Sequence, residues 1–140
     1  TRDNLRVVSD IGSRLPIYCT SQGKVFLAHM SRTSAEALLR AQHMTQFTPH
    51  TITDLTALMQ EIDLCRTDGY AIENGEYKIG LRSISAPVYT VEGKARYTVG
   101  VIGMFRSTRS DEFLAAVEQV CATASMISTA LGYRKTEELL

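Results

Sequence analysis

The segment Thr20-Ser21-Gln22-Gly23-Lys24 sets two hydroxyls, an amide side chain and a glycine directly before the apolar run Val25-Phe26-Leu27-Ala28. If that run is helical, its first backbone N–H groups are unpaired and carry the positive end of the helix dipole, so they can hold a carboxylate without any arginine. The donors this predicts are the amides of Ser21, Gln22 and Gly23. The plainer alternative is a helix capped by Thr20 or Ser21 with solvent at its end. A second polar set follows in Leu81-Arg82-Ser83-Ile84-Ser85. Ser83 can donate or accept, Leu81 supplies apolar wall, and Gly100 leaves room beside Ile102. A row of small residues packed under a helix would read the same way. Glu73 is a third candidate: beside a bound carboxylate it is repulsive unless it accepts a ligand hydroxyl or amine, or is itself protonated.

Catalytic signatures are missing from the sequence. There is no nucleophile elbow, phosphate loop, dinucleotide fingerprint or paired-histidine zinc helix. His29, His43 and His50 lack the spacing of shared metal ligands, and His43 and His50 read as solvated. One Gly and one Lys in Ser21-Gln22-Gly23-Lys24 are too little for a nucleotide site. Cys19, Cys65 and Cys121 are widely separated and lie in apolar surroundings, which predicts reduced, largely buried thiols rather than a metal knuckle or disulfides. Of the three, Cys19 alone falls near the polar set and is the one candidate nucleophile. The expectation is recognition without turnover, with no metal and no cofactor.

The elements that must position these groups follow from periodicity. Leu5-Arg6-Val7-Val8 reads as the end of a strand, and Gly12 and Pro16 punctuate a loop. A helix is predicted over Gly23 to Met30, and a short one from Ser34 to about Ala41 with Ala35, Leu38 and Leu39 on one face. Pro49 breaks the pattern, because the residue before a proline avoids the α region. Leu55, Leu58, Met59, Ile62 and Cys65 then recur at helical spacing, with Thr53 as cap and Gly69 just past the end. From Tyr70 the period changes to two, predicting strands at Tyr70 to Glu73, Ile79 to Tyr89 and Ala95 to Met104. Glu92-Gly93 makes the last two an antiparallel hairpin. Ile84, Ala86 and Val88 share a uniformly apolar face; Leu81, Ser83 and Ser85 share the mixed one, and Tyr97, Val99 and Val101 alternate with Thr98, Gly100 and Ile102. A long helix capped by Ser110, with Asp111 and Glu112 in its first turn, is expected to bury Phe113, Val117, Val120, Ala124, Ile127 and Leu131 and to stop at Gly132. This order indicates an α+β domain, helices packed on an antiparallel sheet.

At 140 residues the chain is one domain's worth, and its 44% hydrophobic and 21% charged residues lie far from the composition of disorder. Fifteen basic residues balance fifteen acidic ones with no block of like charge, so nothing recommends nucleic acid or an anionic membrane as a direct partner. No uninterrupted apolar run reaches the roughly 20 residues of a membrane span, and no signal-peptide pattern opens the chain, which reads as cytoplasmic. Thr1 and the strand-like residues after it suggest a piece of a longer protein.

Taken in order, Gly12-Ser13-Arg14-Leu15-Pro16, Thr20 to Lys24 with Leu27-Ala28, Thr51-Ile52-Thr53, Gly69-Tyr70-Ala71, Glu76 with Gly80-Leu81-Arg82-Ser83-Ile84-Ser85-Ala86-Pro87-Val88, and Ile127-Ser128 with Leu131-Gly132-Tyr133 resemble the C-terminal effector domain of IclR-type transcription regulators. The resemblance covers nearly the whole chain. It implies a GAF-like α+β sensor that follows an N-terminal winged helix-turn-helix, forms dimers or tetramers, and binds small organic acids. Residues 1–140 would then be an effector-binding domain short of its first strands, and DNA would be reached only through the domain outside this chain. Carried over by position, the family's pocket falls on Ser21, Gln22, Glu73, Leu81, Ser83, Gly100 and Ile102, with Leu15 and Ile11 near its apolar wall. Family members that bind very small acids carry serines where this chain has Gly100 and Ile102, which implies a larger, less polar ligand. Tyr18-Cys19-Thr20-Ser21 with Gly80-Leu81-Arg82-Ser83 is similar to the branch regulating aromatic-acid catabolism, which implies an aromatic carboxylate. A competing possibility is a ligand-independent oligomerisation module, with the 54–68 and 110–131 helices as interface.

Overall fold

A computed structural model describes residues 10–135; the strand expected at Leu5 to Val8 lies outside them. Four helices and three strands follow in the order α1 (Ser21–Ala28), α2 (Arg32–Arg40), α3 (Leu55–Asp68), β1 (Ala71–Asn74), β2 (Arg82–Tyr89), β3 (Ala95–Gly103) and α4 (Asp111–Ala130). The strands form one antiparallel sheet in the order β1-β2-β3. The architecture is α+β, as expected.

Side-chain chemistry fixes the helix boundaries. Ser31, Asp54 and Ser110 each accept an otherwise unpaired amide three residues on, and Gly69 ends α3 at φ +81°, a conformation that suits glycine. The cap of α3 is therefore Asp54 rather than Thr53: its carboxylate accepts from Ala57 N at 2.8 Å. β2 begins at Arg82 rather than Ile79, because Gly80 turns the chain at φ +81° and Leu81 N donates back to Lys78 O, leaving Ile79 exposed.

The period of two separates the faces of β2. Ile84, Ala86 and Val88 pack with Phe113, Val120 and Ala124 of α4, while α1 and α3 lie across the other face, their core built from Val25, Leu27, Leu58 and Ile62. Two further expectations need correction. Leu38 is 40% exposed, so α2 buries only Ala35 and Leu39 of the predicted face. On α4 the buried stripe runs from Ala124 to Ser128, leaving Ile127 and Leu131 exposed. The reason is polar: Ser128 Oγ accepts from Tyr89 N at 2.9 Å and donates to Ala124 O at 2.8 Å, sealing the end of β2. By length and apolarity α4 would pass as a membrane span, with mean hydropathy 1.3. Its Phe113-Val120-Ala124 stripe is instead packed on the sheet.

Candidate functional site

At the start of α1, Thr20 is the cap. Its Oγ1 accepts from Gly23 N at 3.2 Å and donates to Pro16 O at 2.7 Å. Of the three predicted amide donors, Gly23 is thus already engaged. Gly23 has a different duty: a Cβ there would lie 2.5 Å from the Ile17 Cα and carbonyl carbon, and closer still to the carbonyl oxygen. Glycine lets α1 sit directly on the turn that precedes it.

The helix start faces the polar row of β2. Ser21 is fully buried, and its Oγ lies 2.7 Å from Ser85 Oγ and 2.8 Å from Ser83 Oγ. Ser83 shares its one proton between Ser21 and Glu73, whose Oε2 is 3.2 Å away. The other Glu73 oxygen accepts from Glu76 N at 2.5 Å and Tyr77 N at 3.1 Å. Burial pushes the Glu73 carboxyl above its ordinary 4.5, against the pull of those two amides. The result is a buried run of oxygens from Ser85 to Glu73 that ties α1 to β2 and β1.

One turn deeper, Lys24 is 1% exposed, and its ammonium lies 2.8 Å from Glu76 Oε1 while donating to Ile72 O at 3.1 Å. Glu76 is held in turn: its Oε2 accepts from Asn74 N, and its carbonyl accepts from the Thr51 hydroxyl. A buried charge needs such a partner.

The structure therefore gathers Ser21, Glu73 and Ser83 by hydrogen bonds. Gln22 is half-buried at their side, its Oε1 accepting from Ser21 Oγ at a long 3.4 Å. Gly100 stands opposite Ser85 in the register, and Ile102 opposite Ser83. The room expected at Gly100 is taken by Ser85: a Cβ at Gly100 would come within 3.2 Å of Ser85 Cα and nearer still to Ser85 Oγ and Ile84 O. Leu81 is buried, but its carbonyl is spent in accepting from Gly75 N in the turn before β2. Ile11 and Leu15 do not form the apolar wall expected of them among the described residues, since Ile11 is wholly exposed and Leu15 is 45% exposed. Among the described residues Ile102 is 50% exposed on the edge strand, while Ser21, Ser83, Ser85 and Glu73 are all buried.

Two half-open clefts lie elsewhere. A cleft of about 400 Å³ sits at the outer edge of β1, between Glu61, Leu64 and Asp68 of α3 and Ile72, Asn74 and Glu76. Another of about 290 Å³ lies between the end of β2 and the C-terminal half of α4. Among the described residues, neither is lined by a predicted site residue. Sequence reasoning placed Ser85 on the mixed face without assigning it a part, and it named Lys24 and Glu76 only within separate motifs, never as a pair. Alternation carried the signal for Ser85; for Lys24 and Glu76, 52 residues apart, no local signal exists. Cys19, the candidate nucleophile, is fully buried, and burial pushes its thiol up to about 12, the reverse of activation.

Residues 1–129 match the family model described as the C-terminal domain of bacterial transcriptional regulator IclR. The chain belongs to that family, and the relatives it matches are regulators of transcription rather than enzymes. The HTH-type transcriptional repressor AllR of Escherichia coli (strain K12) is 29% identical over 130 residues, which make up 93% of this chain and 48% of that protein. The chain thus spans about half the length of the curated relatives it matches. Among solved structures, the putative regulator RHA06195 from Rhodococcus sp. RHA1 superposes with TM-score 0.83 at 31% identity, covering 90% of this chain and 52% of that one. The inducer-binding domain of the Acinetobacter transcription factor PobR, a double mutant in complex with 3-hydroxybenzoic acid, superposes with TM-score 0.74 over 87% of this chain and 70% of that one; at 24% identity it shows the fold alone.

Proposed function

We propose that this chain senses a small organic acid, most suitably an aromatic carboxylate, for a cytoplasmic bacterial IclR-family regulator. The observation that carries the reading is the buried run Ser85, Ser21, Ser83 and Glu73 at the start of α1, with Gly100 and Ile102 as its register neighbours on β3. Buried hydroxyls and a carboxyl with a raised pKa, gathered at a helix N-terminus, are groups that recognise oxygen. The amides of Ser21 and Gln22 would take the ligand carboxylate, Glu73 a ligand hydroxyl, and Ile102 with Leu81 the apolar body. The 3-hydroxybenzoic acid held by PobR has those parts. Strands beyond the described residues would pair with the edge of β3 that is unpaired among those residues and close the site over Ile11, Leu15 and Ile102.

The protein would act as a homodimer or tetramer and reach DNA through an N-terminal winged helix-turn-helix outside this chain. Ligand would change DNA binding by favouring one of two arrangements of the oligomer. The exposed Leu114, Met126 and Leu131 along α4 favour a second reading, a ligand-independent oligomerisation module.

The test is a thermal-shift screen against aliphatic and aromatic carboxylates, in which a ligand at about a hundred times its dissociation constant stabilises by about 2.7 kcal/mol. Ser83→Leu should abolish the shift while the protein stays folded. A shift that survives this substitution moves the site elsewhere, and an oligomer insensitive to every acid favours the module.

A further inference from the structure

Ser85 is 1% exposed, and its hydroxyl lies 2.7 Å from that of Ser21. It stands opposite Gly100, and the side chain it has displaced is visible in the packing: a Cβ on Gly100 would fall on Ser85 Oγ and on the Ile84 carbonyl. Level with Ser83 and Ser85, the face shared by β2 and β3 carries its hydroxyls on β2 only. Ser83 and Ser85 lie on β2; their register partners on β3 are Ile102 and Gly100, which present a methyl-bearing chain and bare backbone.

We infer that Ser85 is a specificity-determining positioning residue: seated in the space that Gly100 leaves, it holds the Ser21 hydroxyl in line with Ser83 and Glu73. This rests on the acid-site reading above and sharpens it. The ligand selected is an acid with two oxygen functions on one edge, facing α1 and β2, and a flat apolar body lying over Gly100 and Ile102.

Proton count sets what each hydroxyl can do. Each serine hydroxyl has one proton to give and can accept from a neighbour. With Ser85 present, Ser21 is held from the β2 side and its direction is correlated with that of Ser83, which faces Glu73. Without Ser85, Ser21 keeps its contacts to Ser83 and to Gln22 Oε1, yet loses the partner that orders it. Carboxylate capture by helix amides should survive this loss. Recognition of the second oxygen should not.

The experiment measures benzoate and 3-hydroxybenzoate binding to the full chain by calorimetry, unmodified and as Ser85→Ala. The preference of the unmodified chain for the hydroxylated acid should shrink by roughly tenfold in Ser85→Ala, the loss of one well-made hydrogen bond in a buried site. Binding of both acids with an unchanged ratio overturns the assignment alone. Failure of the unmodified chain to bind either acid sinks the acid-site reading, and the selectivity role with it. A ligand-free measurement judges the packing separately. Gly100→Ala should lower the melting temperature less in the Ser85→Ala background than in the unmodified chain, because one of the two nearest of its three obstructing atoms is gone. Equal losses in the two backgrounds would mean that Ser85 does not occupy the Gly100 space.

Discussion

Replacing Gly23 by alanine sets two physical effects against each other. In a helix, alanine normally gains up to about 1 kcal/mol over glycine by restricting the unfolded chain. Here the new Cβ would arrive 2.5 Å from the Ile17 Cα and carbonyl carbon. Those are backbone atoms, so no side chain can rotate away; either α1 lifts from the 16–20 turn or the turn shifts. Overpacking of this kind costs about 1–3 kcal/mol and sometimes more. A rigid obstacle puts the cost at the upper end, for a net loss of about 2 kcal/mol. For a domain of this size that is a fall of roughly 6 °C in melting temperature. The assay is thermal unfolding followed by circular dichroism, with Gln22→Ala as control, since Gln22 is half-buried one residue earlier in the same helix. A Gly23→Ala protein as stable as the unmodified chain, or more so, would refute the close approach of α1 to Ile17.

Two more perturbations follow from the buried charges. Lys24→Met should cost about 3–5 kcal/mol, because the Glu76 carboxylate is left buried without its cation. The double variant Lys24→Met/Glu76→Gln should recover part of that loss, and a double-mutant cycle with no coupling would contradict the ion pair. Glu73 carries a pH signature. Its folded-state pKa is raised above 4.5, so between the two values the folded chain holds more protons than the unfolded one. Stability must then fall as pH rises through that window, and Glu73→Gln should flatten the fall in melting temperature just above pH 4.5. Parallel pH profiles for the two proteins would mean that Glu73 is not desolvated as described.

Much of this protein is written locally. Caps such as Ser110 and the stop at Gly69 act on amides and dihedrals within a few residues, so they can be read wherever they occur. The alternation of Ile84, Ala86 and Val88 with Ser83 and Ser85 likewise told the two faces of β2 apart, and with them the strand that bears the polar row. Local reading erred in two ways, once between adjacent cap candidates and once through a neighbour in space. Asp54 displaced Thr53 as cap because its carboxylate reaches Ala57 N, and Ser128 displaced Ile127 and Leu131 from the buried stripe because Tyr89 N needed an acceptor.

The sequence by itself determined the α+β order of elements, the polar start of α1 and the mixed face of the sheet. Only the tertiary structure decided which polar groups meet. Ser21 and Ser85 are 64 residues apart, and Lys24 and Glu76 are 52 apart. No period or cap connects such pairs, because what joins them is the burial of α1 against β2, a free energy shared by the whole core. The same packing filled the space that Gly100 offered with the hydroxyl of Ser85, a choice set by how closely two strands approach rather than by either residue alone.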